Sequence, residues 1–249
     1  MAATFADAHD AAVGVASVVR SGVVPSLLES MDRTSVHAVN DSCRLGFGGE
    51  VGALVLAQSD ASSVRAKEEI ALLADLLADA GALDVVVAAD QAEGALLLAA
   101  RRQVLTAFES LGAALIDDVC VPRDRLAALV DGVEALATSA GLTVGLFGHA
   151  GDGNFHPTVV FDASVPEQVA AANRLFEDIM LLGLDLGGTI TGEHGVGTLK
   201  RDLRSDGDPQ PRQGLLTGVR WGVGPAGPVR SPLPAGCCHR VPPAPWRST

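Results

Sequence analysis

Apolar residues recur every three or four positions in five stretches of this chain, and short Val- and Leu-rich runs lie between them. The helical stretches are "FADAHDAAVGVASVVRSG" (5–22), "SSVRAKEEIALLADLLADAG" (62–81), "QAEGALLLAARRQVLTAFESLG" (91–112), "RDRLAALVDGVEALATSAG" (123–141) and "PEQVAAANRLFEDIMLLGLDLG" (166–187). Ser62 and Gly81 are good start and stop residues for the second, and Gly22 and Gly141 stop the first and fourth. The runs "EVGALVLAQSD" (50–60), "LDVVVAAD" (83–90), "ALIDDVCV" (114–121), "LTVGLFGHA" (142–150) and "NFHPTVVFD" (154–162) predict strands. "GTITGEHGVG" (188–197) predicts a last strand that runs into a glycine-rich loop.

Strands alternate with helices, yet two consecutive strands flank one tight turn. A doubly wound parallel sheet has no place for that hairpin. The pattern predicts an α+β, ferredoxin-like fold, with helices covering a largely antiparallel sheet. No GxGxxG follows a first strand and no GxxxxGK[ST] occurs, so neither the Rossmann fingerprint nor the P-loop is present.

The turn itself, "GHAGDGNFHP" (148–157), carries two of the six histidines. Asp-Gly favours a two-residue hairpin loop, because both positions must tolerate positive φ. With Asp152 and Gly153 as the loop, His149 faces His156 directly across the ladder. Their Cβ atoms then lie about 4.5–5.5 Å apart, close enough for both imidazoles to reach one divalent ion. A metal needs a third ligand, and Glu193 and His194 in "TGEHGVG" are placed to offer one. On chemistry alone, two His and one Glu with an open position suit a metal-dependent enzyme such as a metallohydrolase, with Glu193 as ligand or base, or a non-catalytic metal-binding remnant.

Composition narrows the partners. The net charge of −12 argues against nucleic acid, whose phosphates need a concentrated basic surface. No apolar run reaches the roughly 18 residues of a membrane span. The four cysteines (Cys43, Cys120, Cys237, Cys238) show no CxxC or ligand spacing, and together with the lack of a signal-peptide pattern they point to a reducing, cytoplasmic setting, at most peripheral to the inner membrane face. Residues 203–249 are different material: nine of the 13 prolines, both tryptophans, and six arginines against two acids. Proline at that density blocks helices and sheet interiors. The tail reads as a disordered basic extension or, because the pattern stops so abruptly, as an out-of-frame translation. The patterned domain is residues 1–202.

"GHAGDGNFHPTVVFD" followed by "GGTITGEHGVGTLKRD" resembles the C-terminal cap domain of the FAD-linked oxidases, the family of D-lactate, glycolate and D-2-hydroxyglutarate dehydrogenases. "SLLESMD" (Ser26–Asp32) resembles the motif that opens the family's cap, "LLLAARRQ" its Arg-bearing helix, and "DDVCVPRDRL" the segment after it. The resemblance runs collinearly over about residues 3–202.

That resemblance implies roles. His149, His156 and Glu193 match the ligands of a divalent metal, zinc or manganese. His194 matches the base that takes the substrate's hydroxyl proton. Arg101 matches the arginine that holds the substrate carboxylate, and Asn154 a second substrate-site residue; Lys200 matches a basic position after the glycine loop. The implied chemistry is oxidation of a small 2-hydroxyacid by hydride transfer to FAD. The family's FAD-binding domain and its closing "DPxGxxNPGK" segment have no match here. The expectation is therefore an incomplete fragment, inactive alone unless a separate FAD-binding polypeptide joins it.

Overall fold

The computed structural model describes residues 1–195. Lys200 and the tail 203–249 lie outside the described residues. The chain first lays down β1 (Ala2–Phe5), α1 (Ala8–Arg20), β2 (Leu27–Asp32), α2 (Arg33–Cys43), β3 (Ala53–Gln58), α3 (Ser63–Asp79) and β4 (Asp84–Val86). Then come α4 (Gln91–Arg102), α5 (Val104–Glu109), β5 (Ala113–Ile116), β6 (Val119–Cys120), α6 (Leu126–Ala140), β7 (Thr143–His149), β8 (Asn154–Phe161) and α7 (Pro166–Asp185).

All strands join one eight-stranded sheet in the order β4-β1-β3-β2-β7-β8-β5, with β6 also on β8. Every pairing is antiparallel. β1 and β2 flank β3, and β5 and β7 flank β8 in the same way. Each half is thus a split βαβ unit, the ferredoxin-like motif expected from the sequence. The halves meet at β2 and β7, where Ser30 pairs with Gly148 and Met31 with Phe147.

The pleat sends alternate side chains to opposite faces. On one face Phe5, Leu28, Val55, Leu146, Phe155 and Val159 pack under α1, α3, α6 and α7, whose Val15, Leu77, Leu129 and Ile179 are wholly buried. Each such side chain contributes about 1.5–3 kcal/mol by leaving water. The other face is covered by α2 and α5, with Val36, Val39 and Phe108 against Met31, Leu54 and Phe147. Among the described residues no helix is long and apolar enough to cross a membrane.

Local capping explains the helix starts. Asp7 accepts the Asp10 N–H at the head of α1. Asp32, the last residue of β2, accepts the Ser35 N–H and hydroxyl, so α2 begins with no loop at all.

Four sequence expectations need correction. β1, β2 and α2 carry no clear period, and the sequence pattern assigned none of them; β2 mixes Glu29, Ser30 and Asp32 into an apolar strand because it is paired on both edges. The helix over 91–112 is two helices broken at Gln103. The strand over 114–121 is interrupted at Asp117 and Asp118, both buried. The segment beginning at residue 188 is no strand; through Gly195 it is irregular and touches the sheet by one bridge, Cys120 to Thr189.

Candidate functional site

The hairpin forms, but in another register. His149 pairs with Asn154, and His156 with Phe147. Ala150–Asp152 make a single 3-10 turn closed by Gly153 at φ +79°, so the loop is four residues centred one position earlier than the Asp-Gly reading requires. Gly153 is required there: a Cβ would also meet the Val121 carbonyl oxygen at 2.2 Å. The slip shifts the partner of each residue by two, which preserves the face. His149 and His156 are therefore diagonal rather than opposite, and their rings still lie edge to face with centroids 5.4 Å apart.

The loop after α7 brings the remaining groups. Glu193 Oε1 lies 3.4 Å from His149 Nε2 and 3.3 Å from His156 Nε2. Two donors about 2.0–2.2 Å from one tetrahedral ion stand about 3.3–3.6 Å apart, so these separations are those of a coordination edge. His149, His156 and Glu193 converge with all three donor atoms within 4.8 Å of one another. His194 stacks on His156 at 4.9 Å, its ring nearly parallel. Burial, reinforced by the neighbouring His194, holds His156 below the usual imidazole range, which keeps it neutral with a lone pair to give.

Two carboxylates the sequence reading passed over organise the site. Glu29 on β2 is buried; its Oε1 accepts from His149 Nδ1 at 2.5 Å and its Oε2 from Arg101 Nε at 2.6 Å. Holding Nδ1 in this way turns Nε2 of His149 toward Glu193, the arrangement in which a carboxylate backs a metal-binding imidazole. Arg101, at the end of α4, lies with its guanidinium 4.9 Å above the Phe147 ring.

Asp118, wholly buried in the break between β5 and β6, holds the loop. Its Oδ2 accepts the backbone N–H groups of Gly192, Glu193 and His194 at 2.7–2.8 Å and the Thr191 hydroxyl at 3.2 Å. Burial raises its pKa, but these donors and the Asn154 side chain outweigh it, and the net shift is downward. Asn154 itself is buried beside Gly192, where a Cβ would meet its amide at 2.6 Å. The structure thus brings together six of the residues picked out from the sequence, His149, His156, Glu193, His194, Arg101 and Asn154, while Lys200 lies outside the described residues. A lone acid inside "LLESM" and an acid pair inside "ALIDDVCV" were the available signals for Glu29 and Asp118.

The donor set, with two imidazole nitrogens, a carboxylate oxygen and a backing carboxylate, fits a divalent metal of the zinc or manganese kind. For a flavin the described residues offer less. None of the strand-to-helix turns among them carries the glycines that let a helix N-terminus cradle a pyrophosphate.

The family model described as "FAD linked oxidases, C-terminal domain" matches residues 1–207. Glycolate oxidase subunit GlcD of Escherichia coli strain K12 is 34% identical over 202 residues, covering 80% of this chain and 40% of that protein. An uncharacterized FAD-linked oxidoreductase of Mycobacterium tuberculosis is 31% identical over 233 residues, with 90% and 49% covered. A probable mitochondrial D-lactate dehydrogenase of Danio rerio is 29% identical, with 80% and 40% covered. The chain therefore spans about two fifths to one half of the length of these relatives. Among solved structures, an alkyldihydroxyacetonephosphate synthase shares the fold at 14% identity and a TM-score of 0.54, covering 81% of this chain and 41% of that one. A 4-ethylphenol oxidase from Gulosibacter chungangensis does so at 12% and 0.51, covering 76% and 44%.

Proposed function

This chain belongs to the C-terminal domain family of the FAD-linked oxidases, and from that membership we propose that it supplies the metal- and substrate-binding face of an FAD-dependent 2-hydroxyacid dehydrogenase of the glycolate or D-lactate type. The observation that carries the reading is the convergence of His149, His156 and Glu193 at coordination-edge spacing, with His194 and Arg101 beside them.

His149, His156 and Glu193 would hold the divalent ion, which when bound polarises a substrate hydroxyl and lowers its pKa. A bound flavin would supply the redox chemistry, as acceptor of the hydride from the substrate's C2. The chain's own residues do the rest. Arg101 spends Nε on Glu29, which leaves its terminal N–H groups to grip a carboxylate in a planar fork. His194 takes the hydroxyl proton on its imidazole; its backbone is anchored to Asp118 and its ring is steadied on His156. Asn154 Oδ1, buried with no hydrogen-bond partner among the described residues, is the atom left to accept from the substrate. Glu29 and Phe147 wall the site and fix the direction in which Arg101 approaches.

Calorimetric titration of the purified chain, loaded with Mn²⁺ or Zn²⁺, tests the reading. Glycolate and D-lactate should bind the metal-loaded chain more tightly than acetate and propionate, which lack the hydroxyl. Equal binding of both pairs sinks the proposal.

A further inference from the structure

We propose that Glu29 is a positioning residue that couples the metal site to the carboxylate-binding arginine, so that each is fully formed only when the other is. The inference rests on the metal reading above and adds to it a link between two groups on separate elements. One buried carboxylate serves both. Its Oε1 holds His149 Nδ1 and its Oε2 holds Arg101 Nε, at 2.5 and 2.6 Å. Glu29 sits on β2, His149 on β7 and Arg101 on α4, so one carboxylate ties together three elements.

The geometry makes the coupling specific. The imidazole has two nitrogens, and Nε2 faces Glu193 only while Nδ1 is held on the opposite side. The guanidinium has five donors, and with Nε–H held by Glu29 its direction is fixed while both terminal nitrogens remain for a substrate. A carboxylate offers two acceptor oxygens to these two donors. An amide offers one oxygen, and its NH₂ must confront either His149 Nδ1–H or Arg101 Nε–H. Glu29→Gln therefore keeps shape and breaks one contact. Because equilibrium coupling is reciprocal, whatever Arg101 does for the metal through Glu29, the metal does for Arg101.

Zinc affinity of the purified chain, measured by competition with a chromogenic chelator, reads the coupling without any turnover. Glu29→Gln should weaken zinc about 10–100-fold, the usual effect of removing the carboxylate behind a metal-bound imidazole. Arg101→Met should weaken it several-fold although Arg101 is no ligand, and Arg101→Lys, which still pairs with Glu29, should recover most of that loss. The Glu29→Gln/Arg101→Met double variant should bind zinc no more weakly than Glu29→Gln alone, since both changes cut the same link. Additive losses, or an Arg101→Met variant that binds zinc like the wild type, overturn the coupling. The Arg101 variants keep the test decisive should Glu29→Gln fail to fold. Failure of the underlying reading looks different: zinc binding unchanged in His156→Ala removes the metal site itself.

Discussion

The two faces of one sheet divide the labour of this domain. β2 sends Leu28 to the face under α1 and Glu29 to the other. β8 sends Phe155 and Val159 to the first and Asn154, His156 and Thr158 to the second. The same strands, read one residue apart, build an apolar core on one side and, on the other, a second apolar cluster bordering the proposed metal-and-substrate site. Rigidity and chemistry are supplied by the same backbone but not by the same side chains. A site mounted this way inherits its precision from a core that contributes no group to it.

The division can be tested from its strongest point. Leu129 is fully buried on the helix-covered face, and Leu129→Ala should cost about 2–5 kcal/mol in urea unfolding while leaving the zinc affinity of the folded protein unchanged. A loss of zinc affinity on that scale would mean the faces are not independent. His156→Ala should do the reverse: zinc affinity falls about 100-fold or more, with a smaller change in unfolding midpoint.

Asp118→Asn probes the seam between core and site. It removes the charge that gathers the Gly192, Glu193 and His194 N–H groups, at a cost of about 2 kcal/mol near neutral pH. Because the folded state holds this carboxyl below its usual value of 3.8, its contribution is complete above that value and fades as the pH falls through the lower folded pKa. The gap between variant and wild type should close in acid. Asp32 has the opposite sign. Burial, the largest influence, pushes it up to about 6 in spite of its bonds to Ser35. Its contribution is complete below 3.8 and is lost as the pH rises through about 6. Asp32→Asn, which still caps α2, should therefore gain about 2–3 kcal/mol on the wild type between pH 4 and pH 7 in thermal unfolding; a constant difference would contradict the burial argument.

Strongly amphipathic helices and the hairpin were legible because one-sided burial writes its period into the sequence. β1 and β2 were not: four residues are too few for a period, and a strand that faces a core on one side and a site on the other shows none. The break at Asp117 and Asp118 follows from a need no pattern displays, to bring a carboxylate to the 192–194 loop. The histidines and Glu193 stood out by type and setting, whereas Arg101 was picked out only by the resemblance. Glu29 and Asp118 did not, because in a chain with 30 acids a buried carboxylate looks like a solvated one until its partners are known. The register slipped unnoticed because an even shift leaves both histidines on one side of the sheet.

The junction of β2 with β7 has one more consequence. Glu29 and Arg101 lie on the first half of the chain, while His149, His156 and Glu193 lie on the second, and only two residue pairs stitch the strands across the join. Cut in the turn before β5 and expressed as two polypeptides, the second piece would carry all three proposed zinc ligands and the first the Glu29 carboxylate that backs His149, with Arg101 behind it. Mixing the two should then raise the zinc affinity of the second piece about 10–100-fold, a gain that reports their reassembly and makes the site a built-in sensor of whether the domain is whole.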